Sequence, residues 1–220
     1  MLLAIDTSTS QAGIALYDGR VRTELLWHAG RDHGRHLLPA IEEALRRIGS
    51  APADLSAVAA ARGPGSFTGL RVGLAVAQGL ALALQIPLYG VGSLTVLAHG
   101  LAGWDGPAVA VLEAGRGRFA TARFDPDADG YSQRGDVMGM DVDSLLRLVV
   151  DGGTSRCAIV GDLDATIRSR LVDVGERIWV ASPALAVRRP AVLAELAWRK
   201  LEQGQPPGPD DGEPIYLARS

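Results

Sequence analysis

Ala61-Arg62-Gly63-Pro64-Gly65-Ser66-Phe67-Thr68-Gly69-Leu70-Arg71-Val72-Gly73, with the apolar run behind it to Leu84, is the stretch from which the rest of the chain can be read. A strand of small residues, Val58 to Ala61, enters a Gly/Pro loop, and the loop opens into a helix. Gly63 and Gly65 flank Pro64 in a turn whose backbone angles other residues resist. Ser66 and Thr68 each offer an oxygen to the first free amides of the helix, as an N-cap does. From Gly69 to Leu84 only Arg71 and Gln78 are strongly polar, so the helix has no charged face for water. Gly69, Gly73, Ala77 and Ala81 recur every four residues, and such a stripe lets another backbone approach closely. Leu70, Leu74, Leu80 and Leu84 fill other sides. A helix apolar all round is deeply buried or lies at an interface. It is too short and interrupted for a membrane span, which needs roughly 20 apolar residues. The expectation is a binding surface, helix against helix.

Working outward, 220 residues make one large domain or two small ones. With 47% hydrophobic and 21% charged residues the chain has the material for a core and reads as soluble and globular. A net charge of −3 excludes a global basic field for gripping nucleic acid. The single cysteine, Cys157, excludes an internal disulfide and a zinc site built from several thiolates. Met1 to Asp6 does not read as a signal peptide, because the acid interrupts the apolar run and no basic residue precedes it. The cytoplasm is the expected compartment.

Upstream of the loop, Leu2 to Ile5 reads as a buried strand, Ala12 to Tyr17 as a second, and Asp18-Gly19 as a hairpin turn into a third, about Val21 to Trp27. His28 to Arg35 reads as a loop, and a helix follows from about His36 to Ile48 with Leu37, Leu38, Ile41, Ala44 and Leu45 at helical spacing. Downstream, Pro87 breaks the chain, Leu88 to Val91 is a strand, and Ser93 caps a short helix to about Leu101. The second half reads as a shorter echo. It has strands at Ala108 to Leu112, Phe119 to Phe124, Cys157 to Val160 and Arg177 to Val180, and helices at Ser144 to Val150, Ala165 to Val172 and Pro190 to about Gln203. Asp143 could cap the first of these helices, Gly152-Gly153 would end it, and Asp125 to Gly135 reads as a surface loop. The order β-β-β-α-β-α-β is that of the ribonuclease-H-like, actin-like (ASKHA) α/β class. The predicted domains are 1–103, which carries the two long helices, and a smaller, degenerate α/β domain at 104–220.

Asp6-Thr7-Ser8 ends the first strand, where actin-like folds place a phosphate-facing loop. A carboxylate, hydroxyls and turn amides could hold a nucleotide's metal and phosphates, and the same residues also read as a polar turn that satisfies its own backbone. Gly63-x-Gly65 matches neither a P-loop, which needs a lysine that is absent here, nor the dinucleotide pattern. His33-x-x-His36 lacks evident third and fourth ligands, and no nucleophile elbow surrounds Ser66. Glu113 and Asp162 end proposed strands, as catalytic carboxylates and ordinary loop acids both do. Arg116, Arg118 and Arg123 form a small basic patch or simply an exposed hairpin. No catalytic residue and no metal site are read from the chain.

Ala4-Ile5-Asp6-Thr7-Ser8, Arg31-Asp32-His33, the block from Arg62 to Gly73, Ala77-Gln78-Gly79-Leu80-Ala81 and Pro214-Ile215-Tyr216-Leu217 together resemble the TsaB (YeaZ) family of bacterial proteins. The resemblance is dense to about Val96 and sparse beyond. It implies a non-catalytic subunit of the machinery that makes N6-threonylcarbamoyladenosine (t6A) at position 37 of tRNAs reading ANN codons. The implied partners are a TsaD-like catalytic paralogue and a TsaE-like ATPase, with tRNA touched indirectly or weakly. A homodimer through the same helices is expected when the chain is alone, and no membrane is involved. The implied interface is Leu37, Leu38, Ile41 and Leu45 on the first helix, and Gly69, Leu70, Gly73, Leu74, Ala77, Leu80 and Ala81 on the second. Asp6, Thr7 and Ser8 would be a vestigial nucleotide loop, with no cofactor held by this chain and ATP, Mg2+ and the catalytic metal on partner subunits. The paralogue's metal-binding H-x-x-x-H falls on Ser93 and Leu97 here, and a hydroxyl and an isobutyl group cannot replace two imidazoles. Glu113-Ala114-Gly115-Arg116 stands where the family often has Asp-Ala-Arg. The rival reading is an actin-like small-molecule kinase or ATPase using Asp6 and Mg2+.

Overall fold

Three strands open the chain as a meander, β1 (Leu2–Asp6), β2 (Gln11–Tyr17) and β3 (Val21–His28). The β2–β3 turn places Gly19 at φ 87°, which only glycine adopts without strain. The computed structural model describes residues 1–30, 32–101, 103–151 and 156–217. Within them α1 (His33–Arg47), β4 (Ala57–Gly63), α2 (Phe67–Leu84) and β5 (Leu88–Gly92) follow the meander. The start of α1 lies about a turn before the expected His36. Asp32 at its N-cap makes no side-chain cap bond, so the polar first turn carries no cap signature to announce it.

The five strands form one sheet in the order β3-β2-β1-β4-β5, antiparallel across the meander and parallel from β1 to β5. All five residues of β1 are buried, because both faces of the sheet are covered. Leu3, Ile5, Ile14, Leu16, Val58 and Ala60 share one core with Leu37, Ile41, Ala44 and Leu45 of α1 and Leu74 and Ala77 of α2.

The second sheet repeats the plan with β6 (Ala108–Gly115), β7 (Arg118–Asp127), β8 (Gly130–Asp141), β9 (Cys157–Gly161) and β10 (Ile178–Val180), in the order β10-β9-β6-β7-β8. Asp125 to Gly135, expected as a loop, is instead the paired tip of the β7–β8 hairpin. Its turn is stabilised by the Asp129 amide donating to Asp127 Oδ1 at 3.0 Å. The Asp/Gly-rich composition reads as coil only because β8 is an edge strand with most side chains in water. One face of this sheet packs on α4 (Val142–Asp151) and α5 (Ala165–Val172) through Val109, Val111, Leu145, Ile159, Ile167 and Leu171. Asp141, not Asp143, takes the amide of Ser144 at 2.8 Å, while Asp143 pairs with Arg170 at 2.6 Å. Gly152-Gly153 lies outside the described residues.

The other face of each sheet is covered by a helix that the sequence assigns to the wrong domain. α3 (Ser93–His99) puts Leu94, Leu97 and Ala98 into a core with Ala110, Leu112, Ala122 and Phe124 of the second sheet. α6 (Pro190–Glu202) packs on β1, β2, β4 and β5 of the first. Pro190 approaches β2 so closely that a Cβ on Gly13 would lie 2.7 Å from its Cγ. The compact units are therefore Met1–Ser93 with Arg188–Tyr216, and Leu94–Val187 with Leu217. This corrects the expected division at 103/104. Each sheet needs two covered faces, and the apolar stripe of α6 matches a sheet at the far end of the chain.

Candidate functional site

Gly63 sits at φ 103°, and a side chain there would meet the carbonyl oxygen of Ile215 at 2.7 Å. Ser66 caps α2 by accepting from the Gly69 amide at 3.3 Å. Thr68 lies inside the helix and makes no cap bond.

The small stripe of α2 faces inward. Thr7 donates from Oγ1 to the carbonyl of Gly69 at 2.7 Å, and a Cβ on Gly73 would overlap that same Oγ1. The backbone that Gly69 and Gly73 admit is therefore the chain's own, at the end of β1 and the turn after it. This revises the expected contact set. Leu37, Ile41, Leu45, Gly69, Leu70, Gly73, Leu74, Ala77 and Ala81 are buried within the unit, and of the expected interface residues only Leu38 is exposed and Leu80 half-buried.

What α2 leaves uncovered is a different strip. Ala75, Gly79, Leu82 and Ala83 are exposed and Val72 and Val76 half-buried, spaced so that they fall on one side of the helix. Leu82 is 83% exposed, and Leu38 on the neighbouring α1 is 55% exposed. By length and composition alone α2 is long and apolar enough to cross a membrane, which corrects the expectation that it is too short, but its other side is the lining of a core. The sequence does not single out the outward face because every side of α2 carries apolar residues and glycine lies on both faces, Gly69 and Gly73 inward and Gly79 outward.

The tail forms the edge of this region. Ile215 donates its amide to the Arg62 carbonyl at 2.7 Å, and Arg62 Nε donates to the Glu213 carbonyl at 2.8 Å. Gln78 reaches the Gly212 carbonyl at 2.9 Å. Arg71 lies 3.8 Å over the Phe67 ring and donates to the Tyr216 hydroxyl at 3.3 Å, with the two aromatic rings 5.3 Å apart.

Asp6, Thr7 and Ser8 are brought together as expected, but inside the protein, at 2%, 2% and 0% exposure. Asp6 Oδ1 accepts from the Ser8 amide at 2.8 Å and the Ser8 hydroxyl at 2.6 Å. Asp6 Oδ2 faces Arg188 Nε at 3.5 Å, both side chains being 3% exposed. Arg188 also donates to Thr9 Oγ1. Arg188 was not singled out in the sequence, yet two arginines immediately before a helix-starting proline oppose the helix dipole. Arg189 is held by Glu24; Arg188 is held by Asp6.

The remaining candidates disperse. His28 and His36 are exposed; Arg31 and the side chain of His33 lie outside the described residues. In the second unit His99 Nδ1 lies 2.9 Å from the Thr95 carbonyl, and Nε2 accepts from the Tyr131 amide at 3.3 Å. Asp162 accepts from the Glu113 amide at 3.2 Å, and Arg118 donates to the Gly139 carbonyl at 3.1 Å. Ser93 is fully buried with no hydrogen-bond partner for its hydroxyl, and Leu97 lies in an apolar core. Among the described residues no group of three or more His, Cys, Asp or Glu converges as metal ligands would.

Residues 27–175 match the family model described as TsaD, tRNA N6-adenosine threonylcarbamoyltransferase. The chain is 29% identical over 98% of its length, and 94% of the relative's, to the tRNA threonylcarbamoyladenosine biosynthesis protein TsaB of Escherichia coli K12. The chain belongs to the TsaB (YeaZ) family. The structure of YeaZ from Pseudomonas aeruginosa superposes with a TM-score of 0.77 at 24% identity, covering 97% of this chain and 99% of that one. A glucokinase from an Antarctic psychrotroph superposes at 0.50 and 12% identity, over 90% and 98% of the two chains. The fold is thus the actin-like (ASKHA) α/β fold expected from the strand and helix order.

Proposed function

We propose that this member of the TsaB family is the non-catalytic scaffold and dimerisation subunit of a cytoplasmic assembly that makes t6A at adenosine 37 of ANN-decoding tRNAs. It pairs with a TsaD-like catalytic paralogue, and a TsaE-like ATPase joins the pair. The observation that carries the reading is the uncovered apolar strip of α2, with Leu82 at 83% exposure. Apolar surface of this kind seldom stays in water without a partner. The contact residues are the exposed Ala75, Gly79, Leu82 and Ala83 with Leu38, flanked by the half-buried Val72 and Val76, rather than the Gly/Ala stripe. When the partner is absent the same strip pairs with a second copy, as self-complementary surfaces do in two-fold dimers. The buried Ser93 and Leu97 at the metal-ligand positions support a subunit that leaves catalysis to its paralogue.

The test combines Ala75→Glu and Leu82→Asp in one chain. Co-purification with the TsaD-like subunit and the t6A content of tRNA, read by mass spectrometry, should both be lost while circular dichroism is unchanged. Retention of the complex by the folded variant would show that α2 is not the docking helix.

A further inference from the structure

Kinases built on this fold use the turn after the first strand for a magnesium nucleotide, so the fold itself raises the question of whether Asp6, Thr7 and Ser8 fit one. Mg2+ keeps several waters in near-ideal octahedral geometry and binds through one or two carboxylates that are free to take it. Phosphate would need unspent turn amides or hydroxyls. The donors around Asp6 are already committed. The Ser8 amide and hydroxyl bond Asp6 Oδ1 at 2.8 and 2.6 Å. The Thr7 hydroxyl bonds the Gly69 carbonyl at 2.7 Å. The Ser66 amide, at the mouth of α2, bonds the Ser8 carbonyl at 2.6 Å. Gly65 lies so near Ser8 that even a Cβ would overlap its carbonyl, so the Gly/Pro loop packs directly on the Asp6 turn.

The charge is accounted for as well. A carboxylate this deeply buried demands a compensating cation, and Arg188 supplies it from the residues preceding α6 at 3.5 Å. Neither Asp6 Oδ2 nor Arg188 Nε has an aligned hydrogen bond; the contact is ionic. The loop therefore does not fit the group that the fold implies. We propose that Arg188 is a built-in counter-ion for Asp6, and that it closes the Asp6 loop to magnesium nucleotide. The rival reading of the chain as an Asp6-dependent kinase loses its cation site by the same contact. The proposal is independent of partner docking, since it concerns a buried pair away from the α2 strip.

Mn2+ is the probe, followed by electron paramagnetic resonance in the full chain with and without ADP. Wild type should leave the free Mn2+ signal unchanged. Arg188→Met, which removes the charge, should bind Mn2+ at least about tenfold more tightly than wild type, and Asp6→Asn added to it should abolish that gain. If Arg188→Met is unfolded by circular dichroism, Arg188→Gln, which also removes the charge but keeps a polar end, is titrated instead. Mn2+ or Mn-ADP binding by wild type that Asp6→Asn removes would overturn the proposal. So would a folded Arg188 variant that takes up no more Mn2+ than wild type.

Discussion

The hydroxyl of Thr7 and the carbonyl of Gly69 are 2.7 Å apart, and this bond fixes the end of β1 against the first turn of α2. The helix lies that close only because Gly73, one turn further on, has no side chain to meet Thr7. Gly73→Ala should therefore destabilise the protein by about 1–3 kcal/mol, as overpacking of a tight contact does. Thr7→Val should cost about 0.5–1.5 kcal/mol for the lost hydrogen bond. Urea denaturation measures both, and a Gly73→Ala variant as stable as wild type would contradict the close approach.

Leu82 is expected to behave in the opposite way. Its side chain projects into solvent, so Leu82→Asp should change stability by no more than about 0.5 kcal/mol. On the proposed pairing of the strip with a second copy, it should also lower the mass in sedimentation velocity to that of a monomer. A shift in the unfolding midpoint without a change in mass would place Leu82 in the core instead.

Asp6→Asn leaves the Arg188 guanidinium buried without its counter-charge, and breaking a buried pair from one side costs about 3–5 kcal/mol. Adding Arg188→Met to Asp6→Asn removes the stranded charge and should recover most of that loss. The double-mutant cycle, read by chemical denaturation, would show no coupling if the two side chains did not interact.

Tyr216 anchors the tail through its ring and hydroxyl. Tyr216→Ala should speed hydrogen exchange at the Ile215 amide, which bonds the Arg62 carbonyl, while exchange in β1 is unaffected. Equal exchange at Ile215 in variant and wild type would mean that the tail is held without the aromatic pair.

Burial pushes the Cys157 thiol above its ordinary value, and nearby Arg123 and Arg177 offset this only in part. A raised thiol pKa means less thiolate at any given pH below it. Iodoacetamide should accordingly label native Cys157 more slowly than the denatured chain at about pH 8, with the difference narrowing as pH rises. Mass spectrometry of timed aliquots measures the rates; identical rates at that pH would refute it.

Much of this molecule follows from local pattern. The meander, its Gly19 turn and the helix after the Gly/Pro loop are set by alternation, turn chemistry and capping that lie within a few residues of one another. The Asp6 turn is legible as a cluster, and as a turn that satisfies its own backbone, but its counter-ion Arg188 is not, because tertiary packing brings it in. The inward side of α2 was misassigned for a related reason. A helix with apolar residues on every side carries no periodic contrast, and only the position of Thr7 across from Gly69 and Gly73 decides which side meets the sheet. The β8 strand was hidden by its polar edge composition, and the domain limits by α6, which covers a sheet nearly the whole chain away.

That last arrangement has a consequence for synthesis on the ribosome. Residues 1–93 emerge first, yet the face of their sheet that α6 covers stays bare until Arg188–Tyr216 has been made. The intervening unit, complete by Val187 apart from Leu217, is free to fold while its predecessor waits. The order of folding is then the reverse of the usual amino-terminal-first order. A chain halted before Pro190 should expose a sticky sheet face and depend on chaperones, whereas residues added after Tyr216 would not delay closure.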